Sequence, residues 1–504
     1  MSAHLLILPV LLPLFTGAVL LLFSGARLAW KRPINLIACL ALLLVSVLLL
    51  MRVTALGTQV YVVGDWVAPF GIVLVLDRLS ALMLVITAVL AVPVVIAMSA
   101  GTDRTGQNFH GLVQFQLMGL NGAFLTGDLF NLFVFFEILL IASYALLVFG
   151  GGRARVAASM HYVILNLFGS ALFIIAVGLL YGVTGTLNMA DMAVRIAALS
   201  AEDVALVRAA GLLLLVVFAL KAALLPLGMW LPAAYASAAA PIAALFAIMS
   251  KVGLYAIFRV HGVLFGEMAG PLAGLGQSLV WWLALATMLL GILGVLGARD
   301  LRTLLAWQVI VSVGTLMAGW SLGTPEAWTA ALFYMVHSTW MTAALFLIAG
   351  VVVARRGEAK DSFMVDARIA SPVVGLAFIA GAVALAGLPP LSGFIGKALL
   401  LQAAGISGDM TVFWVLMLCG GLAGLLAFSR AGTSLFWRGP IAEASADEPA
   451  MPLTPALLLL AMSVLLVAAG GPILDYLTVT AELMLQPAEM IRAVLGDDYL
   501  PGGA

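Results

Sequence analysis

Charge is what this 504-residue chain has least of: 9% of its residues are Asp, Glu, Lys or Arg, against roughly 25% in an average soluble domain. No polar stretch is long enough to fold as a second domain. With 64% hydrophobic residues, that deficit excludes a water-soluble globule and leaves one membrane domain, residues 1–504, embedded in a lipid bilayer. Lys plus Arg and Asp plus Glu number 23 each, so no basic surplus exists to attract nucleic acid, and none is expected as a partner. Cysteine is almost missing: Cys39 and Cys419 lie in separate apolar runs, spaced for neither a metal site nor a redox motif, and read as small packing residues. His4, His110, His161 and His261 show no paired spacing for haem, and no phosphate loop, nucleotide fingerprint or zinc motif occurs. No cofactor is therefore expected, and the residues leave metal binding open. An early positive segment and a small-residue cleavage site before Arg27 are also lacking, so the N-terminal apolar run reads as a retained first helix.

What is present is a succession of apolar runs near the spanning length of about 20 residues. They predict transmembrane helices near 4–24, 34–53, 79–99, 110–126, 129–149 and 158–182, a broken seventh over 205–236, then 241–262, 273–298, 301–321 and 328–353. A broken twelfth over 372–406, followed by 411–431 and 453–474, brings the total to about fourteen in an all-α polytopic membrane protein. If these helices alternate in direction, fourteen of the 23 Lys and Arg fall in loops on one side, six on the other and three inside helices. By the positive-inside bias both termini face outward. Residues 54–78, rich in turn formers and β-formers, predict an external hairpin or loop. The polar, proline-bearing run 436–452 predicts a cytoplasmic loop, and 476–496 an interfacial amphipathic helix.

The charges inside the apolar runs carry the chemistry. A lysine at mid-bilayer depth costs about 2.5–3.5 kcal/mol to insert, so Lys221 and Lys251 each need a partner or a wet cavity. Pro226 and Pro232 interrupt the seventh helix, and a proline frees backbone carbonyls at the depth of the charge. Glu137, in the middle of the fifth helix, is the natural partner for a lysine on another helix. Either the two form a static pair or they exchange a proton. Lys397 follows Pro389 and Pro390 in the twelfth helix with no acidic residue near it, so it needs water or a distant partner. His337 can take up and release protons near neutral pH, although a lone histidine in a helix can equally be packing. Pro226, Leu227 and Trp230 recur as Pro390, Leu391 and Phe394, and paired interrupted helices are what a repeat-built transporter shows.

The stretches FFEILLIASYALL, LPLGMWLPAAYASAAAPIAALFAIMSKVGLYAIFRV and GLPPLSGFIGK resemble the signature of the antiporter-like subunits shared by Mrp-type multisubunit sodium/proton antiporters and respiratory complex I. The similarity runs from about residue 75 to 430. Lys397, where one close complex I relative carries glutamate, and the run LNGAFLTGDLFNLFVFFEILL look most like the Mrp D-type subunits. The resemblance implies two inverted five-helix repeats, residues 110–262 and 273–432, between an N-terminal unit 1–109 and a C-terminal unit 453–504. It also implies that Glu137, Lys221, Lys251 and Lys397 are the family's intramembrane charges. Where many members carry an eleventh-helix lysine this chain has Thr342, so His337 and water would have to bridge Lys251 to Lys397. The implied role is proton translocation coupled to sodium efflux in the bacterial inner membrane, beside subunits A, B, C, E, F and G. The chain would be a transporter subunit and not itself an enzyme. A proton-pumping subunit of a complex I-like quinone reductase or membrane-bound hydrogenase is the alternative.

Overall fold

Backbone polar groups in hydrocarbon must find partners within their own segment, so long runs of Leu, Val and Ala become helices. The computed structural model describes residues 3–23, 27–106, 108–365, 367–407, 410–442 and 451–499. The chain opens with α1 (Leu8–Leu22), α2 (Leu28–Leu56) and α3 (Arg78–Met98), with an antiparallel hairpin, β1 (Gln59–Val62) and β2 (Val73–Leu76), between α2 and α3. Next come α4 (Phe109–Leu125), α5 (Leu129–Leu147), α6 (Arg153–Thr184) and a short α7 (Met189–Ala197). The two interrupted helices that follow are α8 (Val204–Ala222) with α9 (Trp230–Ser237), and α10 (Ala240–Phe246) with α11 (Met249–Ala256) and α12 (Gly262–Leu264). After them run α13 (Gln277–Gly297), α14 (Leu301–Ser321), α15 (Pro325–Arg356), α16 (Pro372–Ala386), α17 (Ser392–Ile406) and α18 (Thr411–Gly432). The last elements are α19 (Thr454–Ala468), α20 (Gly470–Leu485) and α21 (Ala488–Leu495).

Among the described residues 11 helices are long and apolar enough to cross a membrane, or 12 if α19 and α20 count as one bent span. The expected fourteen is higher because α4, at 17 residues, and α16 and α17, at 15 each, are shorter than a full span of about 20. Several boundaries differ from the sequence reading. Helix α2 is 29 residues long, α7 was not foreseen, and the last apolar run ends at Ala468, where the chain turns by 82° into α20. The amphipathic stretch is thus two helices, α20 and α21. The eighth helix, expected to be continuous, is interrupted at Ala247 and Ile248 and contains a π-helical turn, Ile257–His261. Pro232 does not break a helix. It lies in the first turn of α9, where the missing N–H would have had no intrahelical acceptor. Of the expected loop 436–452, residues 443–450 lie outside the described residues, and Thr433–Trp437 is π-helical.

Two elements form the interior. The stretch Ala240–Leu264 is wholly buried in its most apolar window, and α15 is almost so. Helices that are apolar on every side belong at the centre of a bundle, and these two carry Lys251 and His337. Arg155, Arg302 and Lys360 line one cavity together with Thr105 and Ala240, so the first turns of α6 and α14 and the segment after α15 share one end of the molecule. At the other end the hairpin contacts α21, and α21 and α12 both contact α7. There Arg259 is 5% exposed and donates to both carboxylate oxygens of Asp77 at 2.5 and 2.7 Å, and to Ser80 Oγ at 3.0 Å. Asp77 also caps α3 by accepting from Ser80 N at 2.8 Å. Burial alone would raise the Asp77 carboxyl, but the Arg259 guanidinium and Ser80 hold it below the ordinary carboxylate range.

Candidate functional site

Helix α8 stops at Ala222 because Ala223 turns left-handed, φ 65°, and Pro226 lacks the N–H that another turn would need. A short 3-10 turn, Leu227–Met229, then leads into α9. Lys221 is therefore the penultimate residue of α8, at the carbonyl end, where unpaired C=O groups create a negative potential that favours a cation. It is buried. Its Nζ donates to Ser170 Oγ at 3.3 Å, Ser170 Oγ donates to Glu137 Oε1, and the Phe136 ring lies 5.7 Å from Nζ. The direct Glu137–Lys221 pair expected from sequence is thus replaced by a serine bridge. A hydroxyl that accepts from an ammonium and donates to a carboxylate orders all three groups in one direction.

Lys251, 2% exposed, donates to Ser312 Oγ on α14 at 2.8 Å, and no carboxylate pairs with it among the described residues. Its helix reaches the α8 break because residue 253 is glycine: a Cβ there would lie 2.5 Å from Ala222 N and 2.8 Å from the Lys221 carbonyl carbon. Lys251 therefore sits two residues from the backbone contact that carries Lys221.

The second break lies between α16 and α17. Gly387, φ 86°, closes α16, and Pro389 and Pro390 separate the two halves. Lys397 was expected to need water or a remote partner. Instead it folds back onto its own break, donating to Ala386 O at 2.7 Å and Leu385 O at 3.4 Å. A Cβ on Gly387 would come within 2.6 Å of Lys397 Cδ, so glycine both terminates α16 and admits the lysine. Each break thus holds an ammonium at the carbonyl end of its first half-helix, from inside that half at Lys221 and from the following half at Lys397.

His337 is fully buried on α15. Its Nδ1 lies 2.8 Å from Ser392 Oγ, which in turn lies 2.7 Å from Ser463 Oγ on α19, while its Nε2 has no protein partner among the described residues. Thr342 is buried further along the same helix. Sequence reasoning missed Ser170, Ser312, Ser392 and Ser463. A serine in an apolar helix commonly bonds back to its own turn, and Asn166 O, 3.0 Å from Ser170 Oγ, competes with Glu137 for its one hydrogen, so nothing local marks Ser170 as a bridge. Asp128 and Asp300 are occupied as helix caps, accepting from Asn131 N and Thr303 N at 2.8 Å each. Among the described residues no three His, Cys, Asp or Glu side chains come together in a way that could hold a metal ion. The arrangement is suited to passing protons between amines, a carboxylate and an imidazole through hydroxyls.

The family described as NADH:quinone oxidoreductase/Mrp antiporter, TM, matches residues 126–424. The D-type subunit of a probable K(+)/H(+) antiporter from Rhizobium meliloti is 41% identical over 530 aligned positions, covering 98% of this chain and 97% of that protein. The D-type subunit of the Na(+)/H(+) antiporter from Bacillus subtilis is 37% identical over 494, covering 97% and 99%. A chain of the Mrp complex from Dietzia sp. superposes with a TM-score of 0.88 at 28% identity, over 98% of this chain and 100% of that one. The superposition of the helical architecture and the alignment over nearly the full length agree: the chain belongs to the NADH:quinone oxidoreductase/Mrp antiporter membrane-subunit family, in its branch of D-type antiporter subunits.

Proposed function

We propose that this chain is the proton-translocating subunit of a multisubunit monovalent cation/proton antiporter in the bacterial cytoplasmic membrane. Glu137, Lys221, Lys251, His337 and Lys397 carry the proton, within two inverted repeats over 110–262 and 273–432. The observation that supports this most directly is the Ser170 bridge: Lys221 and Glu137 are joined by a hydroxyl that can relay a proton, where a purely structural pair would be served better by contact. Moving one charge through 100 mV is worth about 2.3 kcal/mol, close to the roughly 1.4 kcal/mol of one pKa unit on a lysine. Modest changes around each amine are therefore enough to gate the step.

The cation, sodium by the resemblance, binds elsewhere, in an assembly with subunits A, B, C, E, F and G. A hard monovalent ion wants several oxygen ligands, and Asp128 and Asp300 are already committed to helix caps. The complete complex in vesicles is expected to show sodium- or potassium-dependent proton exchange, and the purified chain in liposomes none. Exchange by the chain alone would refute the division of labour; NADH-driven proton uptake by the complex without added cation would refute the antiporter reading.

The orientation follows from the loop charges. With the exposed Cys419 replaced by serine, single cysteines at Arg153 and Arg355 are expected to react with impermeant reagents from the cytoplasm, and one at Glu482 from outside, as both termini do. Labelling of all three from outside would sink this topology.

A further inference from the structure

A buried titratable side chain that the site described above does not use lies on the same membrane span as Lys251. His261 ends the π-helical turn that follows α11 and is 2% exposed. Its Nε2 lies 3.3 Å from Gly211 O. A carbonyl can only accept, so this nitrogen carries the hydrogen and Nδ1 is left as a basic lone pair. Nδ1 has no protein partner among the described residues, and neither has Nε1 of the buried Trp320, whose ring centroid is 6.3 Å from that of His261. Both residues line a cavity of about 240 Å³ with Glu267, Gln277, Gly323 and Met484. Buried polar atoms nearly always have hydrogen-bond partners, and this volume is large enough for several waters at about 30 Å³ each.

The cavity aligns with the site already described. Helices α11 and α14 pack together, and the Lys251–Ser312 hydrogen bond joins them. His261 lies ten residues beyond Lys251 and Trp320 eight beyond Ser312, about 15 and 12 Å along the two helices, towards the end that carries the hairpin. The surroundings of the imidazole are Phe218, Phe265 and Trp320; the charged group on the cavity wall is the exposed carboxylate of Glu267. π-Helical turns within α-helices are frequent at functional positions.

We propose that His261 is a proton-relay residue that connects Lys251, through water in this cavity, to the aqueous phase on the Glu267 side. Nδ1 takes a proton from water on the Lys251 side and returns it to water on the Glu267 side. Nε2 keeps its hydrogen on Gly211, so each passage forms and breaks one N–H bond at Nδ1, matched by one O–H bond broken in the donating hydronium and one formed in the accepting water. This rests on the proton path proposed above.

The test uses the assembled complex. His261→Gln can keep an N–H donor for Gly211 O but cannot take up a proton, so proton exchange is expected to fall at least about a hundredfold at unchanged abundance. A merely structural histidine predicts that His261→Gln works and only His261→Leu fails; an active His261→Gln variant would overturn the proposal. Independently, in the Cys419→Ser background, Gln277→Cys modified with a bulky maleimide before reconstitution is expected to lose exchange that the unmodified variant retains. Full exchange after complete modification would also overturn it. Lys251→Ala separates the two levels: if it is inactive while His261→Gln is active, the path stands without His261, and if it is active, the path itself fails.

Discussion

Lys221→Arg is expected to reduce proton exchange at least about a hundredfold, the usual contribution of a positioned proton-transfer group, while the complex still assembles at normal abundance. The guanidinium stays charged at any accessible pH, so arginine preserves the cation at the carbonyl end of α8 and can still donate to Ser170. What it cannot do is release a proton. Glu137→Gln is expected to lose transport as well, because the Ser170 hydroxyl would then face an amide in place of a proton acceptor. Ser170→Ala leaves both charges in place and removes the group between them, so it too should reduce exchange without changing abundance. A static charge cluster predicts the reverse order: Lys221→Arg nearly silent, and Glu137→Gln scarce because a buried charge is stranded at a cost of several kcal/mol. The measurement is cation-driven proton exchange per assembled complex, with abundance scored separately. An active Lys221→Arg variant would end the relay role of this lysine.

Asp77→Ala should have the largest effect on stability. It strands Arg259, a 5% exposed guanidinium, and removing one partner of a buried pair costs about 3–5 kcal/mol. It also removes the cap of α3, worth about 1 kcal/mol. Little folded subunit is therefore expected in the membrane. The double variant Asp77→Ala with Arg259→Met removes both charges and should recover much of the loss, because an apolar side chain of similar length fills the site without an unpaired ion. Thermal unfolding of the detergent-solubilised protein checks both. If the double variant is no more stable than Asp77→Ala alone, the stranded charge is not the cause.

Much of this protein follows from one-residue energetics. The cost of exposing an apolar or polar group to hydrocarbon depends on that group and its immediate neighbours, and it is enough to dictate an all-helical membrane fold. The same cost singles out Glu137, Lys221, Lys251 and Lys397 against an apolar background, and Pro226 and Pro390 mark the breaks because a missing N–H acts locally. Pro232 could not be sorted from Pro226 in this way, since a proline breaks a helix or begins one according to where the turn before it ends. Nor could the number of spans be read from the apolar runs alone, because α4, α16 and α17 are shorter than a full span. The partners of the charges belong wholly to tertiary structure. Ser170 lies 33 residues from Glu137 and 51 from Lys221, and Ser312 lies 61 from Lys251. Which serine meets which lysine depends on the rotation and depth at which two helices pack, and a hydroxyl in an apolar helix carries no local sign of it. Lys397 shows the same limit at shorter range: its carbonyl partners are only 11 and 12 residues away, yet they are free to accept only because α16 stops at Gly387, leaving its end open to an ammonium.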